Sequence, residues 1–169
     1  SLAGPSYRMT HAFLRDALYH RLGEDDLQRR ARMHEELARD LAAHAGEGIE
    51  DVAAELAMHY DAAGRPREAA GFFLRAAELD PDCAMAWWGV ALCQGPNYND
   101  PDMTEERSIA AWNALQQALA RIDNTSPVER ALIEALEHRY TKPWPKDRTA
   151  IEQAYADAMA KVWEIYPDD

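Results

Sequence analysis

The stretch EDVAAELAMHYDAAGRPREAAGFFLRAAELDPDC, residues 50–83, decides the fold. It holds two apolar-periodic runs, Glu50 to Ala63 and Pro66 to Leu79, parted by Gly64-Arg65-Pro66. Gly stops the first run and Pro suits the first helical position of the second, so the spacing predicts a helix hairpin. Asp80-Pro81-Asp82 then starts another helix, expected to reach about Cys93. The same punctuation recurs on both sides of this unit. Upstream, helices are expected from Thr10 to Leu22 and from Asp25 or Asp26 to Ala45, with breaks at Gly23 and at Gly46 to Gly48. Downstream, Gly95 to Pro101 is too rich in Pro and Asn for helix. Further helices are expected from Thr104 to Ile122, Pro127 to Tyr140 and Asp147 to Ile165, the last two separated by Pro143-Trp144-Pro145. That makes about eight helices. Ala supplies 32 of the 169 residues while β-branched residues are scarce, and Ala both favours helix and lets helices approach closely. The expected fold class is all-α.

The chain also repeats itself. Residues 50–83 resemble a tetratricopeptide repeat, with Leu56 and Ala57 at repeat positions 7 and 8, Tyr60 at 11, Ala69 at 20, Phe73 at 24, Ala76 at 27 and Pro81 at 32. Ala53 stands where the repeat has a bulky residue at position 4. One 34-residue period later Trp87 occupies that position, followed by Val90 and Ala91. Ala111, Leu115 and Ala118 align as the second helix of this unit if eight residues are inserted in the turn that holds Asn97 to Asn99. A third unit has Ile133, Leu136 and Tyr140 at positions 4, 7 and 11, departs from the pattern with Glu137 at position 8, and ends at Pro167. The resemblance implies a right-handed α-solenoid of antiparallel helix hairpins in one domain. Its parts are a leading hairpin over residues 1–48 and repeat units over 49–83, 84–127 and 128–169. Small residues let paired helices close up, and Tyr60, Phe73 and Trp87 are expected to meet at one junction between hairpins.

Two different sources are similar to the two halves. Thr10 to Tyr19, Arg29 to His34 and Glu55 to Gly64 look like the region of large bacterial signal-transduction ATPases and transcriptional regulators where the ATPase passes into its repeats. No GxxxxGK[ST] run is present, so that nucleotide chemistry does not carry over. Leu79 to Gly89, Gly95 to Asn99, Ser126 to Ile133 and Tyr155 to Met159 resemble a bacterial tetratricopeptide family of poorly defined function. The two likenesses meet within residues 69–80. Either one natural protein combines them, or an engineered chimera joins them through a shared helix; repeat stacks tolerate both.

Charge narrows the partners. With 30 acids against 18 bases the net charge is −12, which disfavours nucleic acid and membrane surfaces and suits a basic or neutral partner. Cys83 and Cys93 fit no metal or redox spacing, and the start of the chain lacks the regions of a signal peptide, so a reducing, cytoplasmic setting is expected. His34-Glu35 begins like HExxH but Ala38 stands in place of the second His. His59 and Asp61 diverge by about 200° on a helix and cannot share one ion. The six histidines, His11, His20, His34, His44, His59 and His138, therefore read as surface or interhelix residues, with no metal and no cofactor expected. Neither cysteine has a nearby His partner, and the acidic pairs Glu24 to Asp26 and Glu105-Glu106 favour helix starts, so no catalytic residue is expected.

Recognition fits the architecture better. In a tetratricopeptide stack, repeat positions 2, 5, 9 and 12 of each first helix line a concave groove. The resemblance thus selects Asp51, Ala54, Met58 and Asp61, then Met85, Trp88 and Leu92, then Glu134 and His138. Met and Trp would grip an apolar anchor of a peptide while carboxylates meet its basic groups. Trp88 and Met85 have a second reading as core beneath the inserted loop. Asn97, Tyr98 and Asn99 offer loop hydrogen bonds or a structural Asx turn. Trp163 and Ile165 sit poorly on an outer face, so self-association through the last helix is also expected. The functional expectation is a non-catalytic protein-interaction scaffold; the alternative is an engineered, chimeric or truncated scaffold with no ligand in this form.

Overall fold

The computed structural model describes residues 27–96 and 102–167, so the helix expected over Thr10 to Leu22 and the loop residues Asn97, Tyr98 and Asn99 lie outside the described residues. Among the described residues every regular element is a helix. In chain order these are α1 (Leu27–Ala45), a 3-10 segment (Gly46–Val52), α2 (Ala53–Ala62), α3 (Pro66–Leu79) and α4 (Ala84–Gln94). They continue with α5 (Glu105–Leu119), a 3-10 turn (Ile122–Asn124), α6 (Pro127–Glu137) and α7 (Thr149–Ile165). No helix among the described residues is long and apolar enough to cross a membrane.

Local chemistry sets most boundaries. Gly64, at φ 70°, closes α2: its N–H donates to Asp61 O and the N–H of Arg65 to Tyr60 O, both at 2.8 Å. This is the paired bonding that glycine allows after a helix, and Pro66 then opens α3. The N–H of Asp82 donates to the Asp80 side chain at 3.2 Å, turning the chain into α4. Thr104 caps α5 by accepting from the N–H of Arg107, and Ser126 and Glu129 cap α6 reciprocally ahead of Pro127.

Three helices differ from expectation by about three residues, among them α5, which ends at Leu119 rather than Ile122. The helix expected from Glu50 begins at Ala53, because Gly46 (φ 52°) and the non-helical Gly48 tighten the preceding segment into 3-10 geometry. Helix α6 ends at Glu137 rather than Tyr140. The N–H groups of His138 and Arg139 bond back three residues, to Ala135 and Leu136, and Tyr140 turns inward.

The helices pack mainly on their sequence neighbours, and α4 also touches both α2 and α6. The core is a series of clusters along the chain. Ala38 and Leu41 of α1 pack with Leu56, and Ala57, Ala69 and Phe73 with Cys93. Ala91, Ala111, Leu115 and Ala118 join Ile133, Leu136 and Tyr140.

Many of the buried positions are small residues. Along α3 the buried positions are Ala69, Phe73 and Ala77, spaced by four, whereas Ala76 is only half-buried. Tyr60 and Phe73 belong to one cluster, and the Tyr60 ring stacks on Phe72 with centroids 5.6 Å apart. Trp87 does not meet them. It packs on the next cluster, donates its indole N–H to Pro81 O at 3.4 Å, and lies 5.7 Å from the Arg121 guanidinium. The junction expected to hold Trp87 is made instead by Gly89, which faces Phe73, and by Val90, which touches both clusters. Residues 87 and 89 point some 200° apart on one helix, so only one can face α3.

Candidate functional site

The residues expected to line a groove fall into three settings. Met58 on α2 is open, with 58% of its surface exposed, and Ala54 and Asp51 are exposed nearby in sequence. Met85, Trp88 and Leu92 on α4 are half-buried against the core that includes Leu115 and Ile133. Glu134 on α6 and His138 just after it are exposed. Helix α4 joins the outer two: the Trp88 indole N–H donates to Leu132 O of α6 at 3.2 Å, and the Cys93 thiol lies 3.8 Å from Asp61 Oδ1 of α2. Trp88 therefore ties α4 to α6.

Asp61 is half-buried. Burial pushes its carboxyl above the usual carboxylate range, and the hydrogen bond from Cys93 offsets part of that rise. Burial first, and then the Asp61 charge, push the Cys93 thiol up. Cys93 thus stays a thiol donor at neutral pH.

The end of α4 gathers hydrogen bonds from distant parts of the chain, and sequence spacing gave no sign of it. The last carbonyls of a helix lack partners within it. Here Tyr140 Oη donates to Ala91 O at 2.8 Å, and Arg107 donates through Nε to Gln94 O at 3.1 Å and through Nη2 to Gly95 O at 2.9 Å. Arg139 Nη2 donates to Pro96 O at 2.7 Å. These guanidinium groups also complement the negative end of the helix dipole. Arg139 and Arg148 share Glu152 of α7, at 3.2 and 2.5 Å. Their guanidinium groups lie over aromatic rings, Arg139 over Tyr155 at 4.8 Å and Arg148 over Trp144 at 4.1 Å. Arg148 Nη1 is buried without a hydrogen-bond partner, and the stacking on Trp144 is what it has instead. The arrangement ties α4, α6 and α7 together where the chain leaves α4. Its partners lie up to 49 residues apart.

Among the histidines, His34 of α1 and His59 of α2 meet between helices, their Nδ1 atoms 2.9 Å apart. Among the described residues no group of three or more His, Cys, Asp or Glu is placed to hold a metal ion. At the far end of α7, Trp163 and Ile165 each expose 67% of their surface. Comparison of the chain with protein families, with curated proteins and with solved structures finds no match.

Proposed function

We propose that this chain is a non-catalytic protein-interaction scaffold: a right-handed stack of tetratricopeptide-like hairpins whose ligand face is formed by α2, α4 and α6. The observation that carries the reading is the contact of α4 with both α2 and α6, since a hairpin stack requires successive first helices to touch in order. Burial of the small residues Ala57, Ala69, Ala91, Ala111 and Ala118 suits the same register. On the face so defined, Met58 offers an open apolar contact and Glu134 an open carboxylate. A peptide with one large apolar side chain flanked by Lys or Arg complements both, and the net charge of −12 favours its approach.

Fluorescence anisotropy with a library of such peptides tests the reading. Binding that weakens at least fivefold in Met58→Ala and Glu134→Gln, with unchanged melting temperature, supports it. A library without binders favours the alternative scaffold that has no ligand in this form. Self-association through α7 belongs to the same proposal, and Trp163 and Ile165 are its contact residues. Sedimentation velocity giving a monomer at high concentration removes it.

A further inference from the structure

We propose that His34 and His59 form a proton-operated latch that holds α1 against the first helix pair. The inference is independent of any groove ligand. The two Nδ1 atoms are 2.9 Å apart and the ring centroids 5.2 Å apart. The second distance equals the first plus the reach of both rings, so the nitrogens face each other along the line of centres. A straight N–H···N bond needs one protonated nitrogen and one lone pair, whichever ring supplies which. The bond therefore has room for one proton. His34 is only 8% exposed and His59 is half-buried, so two opposed N–H groups at this contact are costly.

The charged and titratable described residues that neighbour the pair in sequence, or follow at the next turn, lie on α1, on α2 and in the turn before α3. Helix α1 supplies Arg30 and Glu35, α2 supplies Glu55, Tyr60 and Asp61, and Arg65 stands before α3. Glu35 is ion-paired with Arg39 at 2.7 Å and Arg65 at 3.2 Å, while Arg30, Glu55 and both histidines have further partners of their own. Glu47, Glu50 and Asp51 of the 3-10 segment belong to the opposite end of α1. Surrounding charges do not change the number of protons the bond can hold.

The consequence has a definite sign. Below about pH 6.5, the ordinary imidazole value, separated histidines each take a proton whereas the joined pair keeps one. The released state then binds more protons, so docking of α1 weakens as pH falls, by up to about tenfold per pH unit. Release uncovers Leu56, which packs with Ala38 and Leu41. Acid thus opens the apolar back of α2.

Hydrogen exchange of the full chain between about pH 5 and 8, corrected for intrinsic rates, reads this directly. Protection of α1 amides is expected to fall by up to about tenfold per pH unit below about pH 6.5, while α5 keeps its protection. In His59→Gln the slope disappears whatever the plateau, because an amide can donate to a neutral ring or accept from a charged one. A flat profile in the wild type, or an unchanged slope in His59→Gln, overturns the latch. Should the variant fail to fold, imidazole ¹⁵N shifts of the wild type decide. Two coupled titrations with the second displaced to low pH support the latch, and two independent ones near pH 6.5 in an intact fold overturn it.

Discussion

Phe73 presses its ring so closely on Gly89 that a Cβ at residue 89 would stand 2.4 Å from the ring carbons Cδ1 and Cε1. This contact joins α3 to α4 and sets how near the two helices lie. It also explains why a glycine is tolerated inside a helix, where it costs about 1 kcal/mol relative to Ala.

Gly89→Ala is expected to destabilise the fold by about 1–3 kcal/mol, since overpacking outweighs the gain in helix propensity. Gly71→Ala is expected to do the reverse, stabilising by about 0.5–1 kcal/mol, because a Cβ there meets nothing within 4 Å. Urea denaturation of the two variants checks the pair; equal shifts would contradict the close packing at Phe73.

Tyr140→Phe keeps the ring and removes only the donor to Ala91 O, which is buried at the end of α4. A loss of about 1–2 kcal/mol is expected, together with faster hydrogen exchange in the last turn of α4. Gly95→Ala should act through the same bond, since its new Cβ would lie 2.5 Å from Tyr140 Oη.

Trp88→Ala is expected to lower stability by about 3 kcal/mol, through lost packing and an abandoned Leu132 carbonyl. Met58→Ala should change stability by no more than about 0.5 kcal/mol, because Met58 is open to solvent. Melting curves measured beside peptide binding separate the two roles. Trp88 would lose both, Met58 only binding.

Asp61→Asn is expected to flatten part of the acid-range stability profile. A carboxyl raised in the folded state binds its proton more tightly there than in the unfolded chain. Its contribution to stability is therefore full below the ordinary carboxylate pKa of about 4 and is lost as pH rises through the higher folded value. Asn cannot ionise and can still accept from the Cys93 thiol, so the variant should be more stable than wild type at pH 7. Thermal midpoints across about pH 3 to 7 test the sign, which is opposite to that of the histidine latch.

What lay within a few residues was legible before any coordinates. Helix α3 occupies the expected Pro66–Leu79, because Gly64 and Pro66 act on their own backbone. The all-helical class followed from the abundance of Ala, and α6 starts at the expected Pro127. The end of α6 was not legible, since Tyr140 is drawn away from a helical path by Ala91, far along the chain.

The sequence by itself determined the helices and most of their boundaries, because turn and cap chemistry acts over a handful of residues. Only the tertiary structure decided that Gly89 rather than Trp87 faces Phe73, that Tyr140, Arg107 and Arg139 cap α4, and that His34 meets His59. Such pairings depend on which helix faces meet. That is fixed by close packing between segments, and no local spacing encodes it.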